Sequence, residues 1–372
     1  ATTSTLTLNY TEISQNFDLI EDGKLTLEKG NYKLTSNLDL SKSIIILANT
    51  KITLDLNGYD IESTAQTAIF LEEGSFLEIV GKGKINYSYP TTGCVVGYEI
   101  LMCQEKASLK INPGVELVKT SKASTYNGEN GVFLYGIGIT WTTVNDTKKY
   151  PYNTKVEVNS AQITVNGGIY VNGNIDKNGP TINLTNTTIN SNGTESAGIY
   201  QAGQSIINLV DSTIESDVCG IESRAGELNI FGGSVTGGSG KSGSTTENAG
   251  IAIAQHTTGL SVLANIVGTT ISGNIGVLIT NPENATAKND PEKVSVVVSN
   301  VTFNNCAGAA VGYTEDGEEK PIKFSVVNPQ GTQESDIKKF ENAKSGSHEL
   351  QEVMKAEPYP YTLIAYDLSD SE

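Results

Sequence analysis

Arginine is almost missing from this chain. Arg224 is the only one in 372 residues, and basic side chains number 25 against 42 acidic ones, a formal charge of −17. Phosphate backbones and anionic lipid surfaces are bound through clustered Lys and Arg, so the charge balance excludes a nucleic-acid partner. The acidic surface is expected to serve solvation first. Weak Ca2+ binding is the only cofactor chemistry it suggests, and no metal site is expected. Histidine is scarce too, with His256 and His348 outside any motif, and His256 reads as a surface turn residue. The four cysteines form no CxxC pair, which removes the usual zinc and redox signatures. Cys94 and Cys103 are placed to bridge a short excursion, whereas Cys219 and Cys306 read as packed thiols. Long apolar runs are also lacking. The longest is about five residues, far below the roughly 18 of a membrane span, so no membrane insertion is expected. No signal peptide is present, yet Ala1-Thr2-Thr3-Ser4-Thr5 reads like the polar start left after signal cleavage, which points to an extracellular or cell-surface location.

What the chain does have is glycine, 38 in all, with Asn, Thr and Ser crowding its centre and short β-branched runs between them. These are strand and turn residues. A phrase recurs: Gly followed by alternating apolar positions, at Gly131, Gly168, Gly198, Gly220, Gly250, Gly276 and Gly308. Two more strand signals fall in each repeat. One series runs Leu184, Leu209, Ile230, Leu263, Val298, and the other Ile163, Ile189, Ile214, Val235, Ile271, Phe303. Members of the last series are 26, 25, 21, 36 and 32 residues apart. That spacing fits three strands per coil with loops of uneven length, and alternate side chains should stack inward from coil to coil. Ser160, Asn186, Asp211, Gly232, Gly268 and Asn300 each stand three residues before an inward anchor, where a sharp corner calls for the left-handed conformation.

The expected fold is therefore all-β, a right-handed parallel β-helix with three strands per coil. It covers residues 1–330 including an N-terminal cap, and residues 331–372 form a C-terminal cap. Within the cap, Asp336 to Ala343 and His348 to Glu357 read as helical, Pro358 stops the second, and Tyr361 to Leu368 alternates as a strand. Such a cap would cover the open strand edges of the last coil.

The run from Lys24 to Ile85, centred on Leu54-Asp55-Leu56-Asn57-Gly58-Tyr59-Asp60-Ile61, resembles the pectate-lyase-like β-helix proteins. It is most similar to the non-catalytic Gram-positive surface proteins of that fold. The resemblance implies a fold and leaves activity open, because that superfamily spans lyases, hydrolases, epimerases, tailspikes and adhesins. Its enzymes work on a groove along one outer face. The Gly-His-Gly turn and Asn-Thr-Asp strand of the hydrolases are absent here, as is the Asp-Pro-His-Asp of the epimerases.

Two constellations remain. Glu222 and Arg224 sit two apart on one strand and are expected to point outward, with Glu215 and Asp217 as neighbouring carboxylates. They read either as acid and cation of a lyase or hydrolase acting on an acidic polysaccharide, or as an exposed ion pair, and the ion pair is the expectation. Aligning the Gly-anchored strands also stacks Phe133, Tyr170 and Tyr200 in one outward column, and Tyr135, Asn172 and Arg224 in the next. Trp141 is expected to wall one side from the Gly138 to Thr154 insertion. Aromatic faces beside amides suit sugar rings, and aromatics also favour strands for their own packing. The functional expectation is a non-catalytic surface protein with a polysaccharide or host-surface ligand. The alternative is the polysaccharide lyase or hydrolase.

Overall fold

The computed structural model describes residues 8–65, 67–88, 98–119, 134–140, 142–144, 147–171, 178–192, 197–238, 249–256, 258–279, 290, 292–311, 323–331 and 338–339. They form a parallel β-helix. Three long sheets contain 12, 10 and 13 strands among the described residues, and we number these sheets one, two and three. Each coil visits them in that order. Lys155–Asn159 lies in sheet one, Gln162–Val165 in sheet two and Gly167–Val171 in sheet three, and Thr181–Thr185 returns to sheet one. Successive coils pair in parallel throughout the three-sheet stack, and the right hand follows from the sterics of such crossovers. Among the described residues two local antiparallel pairs interrupt this plan, Ile20–Glu21 with Lys24–Leu27 and Thr142–Val144 with Thr147–Lys149.

The inward series holds together as one column. Ile163, Ile189, Ile214, Val235, Ile271 and Phe303 are register neighbours in sheet two, all buried. The column continues back through Leu117, Ile85, Ile61 and Leu38. In sheet one, Leu184, Leu209, Ile230 and Val298 also line up inward, with Ile266 between the last two. Leu263 had been expected there, but it lies three residues earlier, faces outward and is 41% exposed. The strand Val262–Val267 is long enough to offer either parity, and register with Ile230 decides it.

The corners between sheets one and two explain the Asn and Asp spacing. Ser160, Asn186, Asp211, Gly232, Gly268 and Asn300 all have φ between +47° and +71°. In that conformation each backbone N–H donates to the next coil, from Ser160 to Thr185 O at 2.9 Å through Asn300 to Val327 O at 2.9 Å. The cost of a left-handed residue is thus offset by a satisfied donor.

The recurrent glycine has a steric cause. A Cβ on Gly168 would lie 2.3 Å from Ile189 Cγ2 and 2.5 Å from Gly198 O, and one on Gly198 would lie 2.7 Å from Ile214 Cγ2. Gly220 and Gly250 meet Val235 and Ile271 in the same way. The glycine column of sheet three dovetails with the aliphatic column of sheet two, leaving no room for a side chain. In the first of these coils the glycine that fills this position is Gly136, in register between Tyr135 opposite Gly167 and Ile137 opposite Ile169. Gly131 lies outside the described residues.

One charged side chain ends on an inward strand position. Lys119 follows Val115 and Leu117 on the buried side of its strand, opposite the fully buried Tyr87. Its amine is buried with no hydrogen-bond partner among the described residues, and burial pulls its pKa down to about 8. The folded state therefore binds fewer protons than the unfolded chain between about pH 8 and the ordinary lysine range. Stability should rise with pH across that window. Lys119→Met is expected to raise the melting temperature at pH 7 by several degrees and to abolish that rise. Thermal unfolding of both proteins from pH 7 to 10.5 checks it.

Cys103 is free and buried, so it makes no disulfide, and burial pushes its thiol pKa up to about 12. Cys94, its expected partner, lies outside the described residues. Cys219 is buried and Cys306 half-buried, both free. Of the cap, Lys338–Lys339 fall in a segment expected to be helical but instead add a short parallel strand to sheet three beside Ala310 and Val311. Residues 340–372 lie outside the described residues.

Candidate functional site

The outward positions of sheet three bring together most of the singled-out residues. Tyr170, Tyr200, Glu222, Ala252 and Leu278 occupy one register column. Strand spacing sets the outcome: rings on adjacent strands at about 4.8 Å must stack on each other. Tyr170 and Tyr200 lie parallel, with ring centroids 5.4 Å apart at 9°, and Tyr135 closes on Tyr170 at 4.5 Å and 30°. Both faces of Tyr170 are therefore taken by other rings. The column presents ring edges and hydroxyls, so a sugar has no free face of Tyr170 on which to stack.

The stack ends on the chain's single arginine. Arg224 Nη1 donates to the Tyr200 hydroxyl at 3.2 Å, and Arg224 Nε lies 3.7 Å from Glu222 Oε1. Glu222 is 0% exposed and Arg224 4%, so the pair expected at the surface is a buried one. Burial first, then the Glu222 carboxylate, push the Tyr200 phenol well above its usual range. Behind the pair lies an inward polar cluster. Ser223 donates to Gln201 Oε1 at 2.9 Å, and Gln201 Nε2 donates to Ser205 Oγ and to the Glu227 carbonyl, both at 3.0 Å. His256 sits on the next coil, its N–H donating to the Arg224 carbonyl at 2.8 Å. It is half-buried and stands in a turn as expected, its carbonyl accepting from the Gly259 N–H at 2.9 Å. Burial and the Arg224 charge lower its pKa, which favours the neutral ring.

The remaining candidates do not converge here. Glu215 and Asp217 are exposed; Glu215 belongs to sheet two, between Asn190 and Thr236, and Asp217 follows that strand. They cannot complete a carboxylate pair with Glu222. Tyr135 lies opposite Gly167, not in a column with Arg224. Phe133, Trp141 and Asn172 lie outside the described residues. Part of the insertion is an antiparallel hairpin, and beyond it Tyr150 and Tyr152 contact each other at 5.6 Å. Further along sheet three, Ala197, Val218, Cys219, Ala249, Ala252 and Leu278 form an apolar cluster separate from the core column. Among the described residues no group of His, Cys, Asp and Glu is arranged to hold a metal.

The Gln201–Ser223 cluster was missed in the sequence. The signal existed, since both residues stand two after an inward isoleucine, Ile199 and Ile221, and so share its side of the strand.

No protein-family model and no curated protein matches the sequence. Among solved structures, the chain is similar to the A-module of the mannuronan C-5 epimerase AlgE6 from Azotobacter vinelandii. The identity is 10% and the TM-score 0.29, over 76% of this chain and 90% of that one. At that level the likeness carries no argument about this chain.

Proposed function

We propose that this chain is a non-catalytic β-helix of the bacterial cell exterior that binds a carbohydrate or another surface ligand along its outer faces. One observation carries the reading. Glu222 and Arg224, the groups best placed for acid–base work, are buried against each other, and Arg224 is also held by Tyr200. A pair locked in this way organises a surface, whereas proton transfer to a substrate requires a group free to reach it. Hydrogen bonds from protein amides and hydroxyls to sugar hydroxyls do not need such a group.

A glycan array run beside an assay for unsaturated uronate products tests the proposal. Expected are retention of at least one glycan and no turnover of polygalacturonate, alginate or chondroitin, with or without calcium. Turnover that disappears in Glu222→Gln or Arg224→Ala would overturn the reading in favour of a lyase or hydrolase.

A further inference from the structure

The outer face of sheet one is nearly neutral in the central coils, as that of sheet two is, and it also exposes apolar side chains that sheet two does not. Over the five strands Thr181–Thr185, Ile206–Val210, Gly226–Phe231, Val262–Val267 and Val294–Ser299, its outward positions carry a single charge, Glu227. The chain as a whole carries −17. Along the middle of this face runs a column of asparagines in register: Asn183, Asn208, Asn229 and Asn265. The amides of Asn208, Asn229 and Asn265 each donate to the amide oxygen of the asparagine one coil before, at 2.8, 2.9 and 2.8 Å.

An amide has two N–H donors and two oxygen lone pairs. The ladder engages one of each, so Asn208 and Asn265 each keep a second N–H directed away from it. Asn229 gives its second N–H to Glu227 Oε1 at 2.8 Å. The ladder thus fixes the side chains and leaves an N–H open at Asn208 and Asn265, whereas Asn229 is buried with both N–H groups engaged. On either side lie exposed apolar groups, Ile206 and Leu263 at 38% and 41%, and Val210 and Phe231 at 37% and 39%. These are four of the six large hydrophobic side chains exposed among the described residues. Beside Ile206 and Leu263 opens a cavity of about 120 Å³ that Gln204 and Ser205 help to line.

We propose that this face binds an uncharged polysaccharide laid along the helix axis, an inference that rests on the carbohydrate reading above. The amides recur at about 4.8 Å, one per coil, which suits a ligand that is itself a linear repeat with hydroxyls on every unit. The apolar flanks suit the C–H faces of sugar rings. Charge selects the class, because a chain of −17 repels polyuronates while a neutral face neither attracts nor repels a neutral glycan. Size argues against a second copy of the chain. Five strands about 4.8 Å apart, five or six residues long at about 3.3 Å per residue, span roughly 19 by 16 Å at most. A stable protein interface covers about 800 Å² on each partner.

Affinity electrophoresis of the full chain through gels containing mannan, xylan, a β-glucan or polygalacturonate tests the proposal. Expected is retardation by at least one neutral polymer, little changed between low and high salt. Asn208→Ala and Leu263→Lys should each weaken it about fivefold to tenfold, while Thr236→Val on sheet two leaves it intact. Leu263 is exposed, so its substitution reads the surface without the core, and circular dichroism verifies the fold of each variant. Retardation that survives both changes but is lost in Tyr200→Phe would overturn this site and leave the carbohydrate reading standing. Retardation by no polymer would overturn both. A dimer in sedimentation velocity that Phe231→Lys dissolves would overturn the proposal in favour of self-association.

Discussion

Glu222→Leu is expected to destabilise the protein by about 3–5 kcal/mol, because it strands the Arg224 guanidinium, 4% exposed, without its carboxylate. Arg224→Met should cost a comparable amount by leaving the Glu222 carboxylate buried alone. The double change Glu222→Leu with Arg224→Met should cost far less than the sum, since removing both charges removes the desolvation penalty along with the attraction. Tyr200→Phe takes away one acceptor of Arg224 and should cost only about 1 kcal/mol. Denaturant midpoints for the four variants measure the cycle. Single-site losses below about 0.5 kcal/mol would mean that the pair is solvated, and the physical basis of the non-catalytic reading would fall with it.

The burial of this pair was not legible from alternation alone. Alternation places Glu222 and Arg224 on the outer side of their strand, as the register opposite Tyr200 agrees. What it cannot supply is whether that outer side meets water. On sheet one it does, as Ile206 and Phe231 demonstrate, and on sheet three from Glu222 onward it does not, as Ala252 and Leu278 demonstrate. The column of small and apolar residues following Glu222 was a readable sign of cover. The aromatic column holds at Tyr170, Tyr200 and Glu222, and its first coil is out of register for a different reason. Gly131 to Ile139 alternates without a break and offers two glycine anchors, Gly131 and Gly136, five residues apart. An odd offset exchanges the two faces of the strand. Only pairing with both neighbouring coils selects Gly136. By contrast, the sheet-two column and its corners were legible, because each corner needs a particular backbone conformation and each anchor a particular size. Those two requirements recur together in every coil.

The glycine column should be the least tolerant position in the fold. A Cβ at Gly220 would sit 2.5 Å from the Gly250 carbonyl oxygen and 2.5 Å from Val235 Cγ1. The first obstacle is backbone in the neighbouring strand of the same sheet; the second is a core side chain of sheet two. Gly220→Ala is therefore expected to cost about 3 kcal/mol or more, at the upper end of overpacking effects. Gly58→Ala makes the contrast. Gly58 has φ +86° but nothing within 4 Å of its would-be Cβ, so that change should cost only about 1–2 kcal/mol of backbone strain. Adding Val235→Ala to Gly220→Ala separates the two obstacles. It clears the side chain and leaves the carbonyl, so rescue should be partial. Coils that touch only their neighbours transmit damage locally, and hydrogen exchange should therefore show lost protection spreading from Gly198 to Ile253 while Ile44 to Ile85 stays protected. Full rescue by Val235→Ala would mean that side-chain volume alone sets the glycine, and that the backbones of sheet three could have stood further apart.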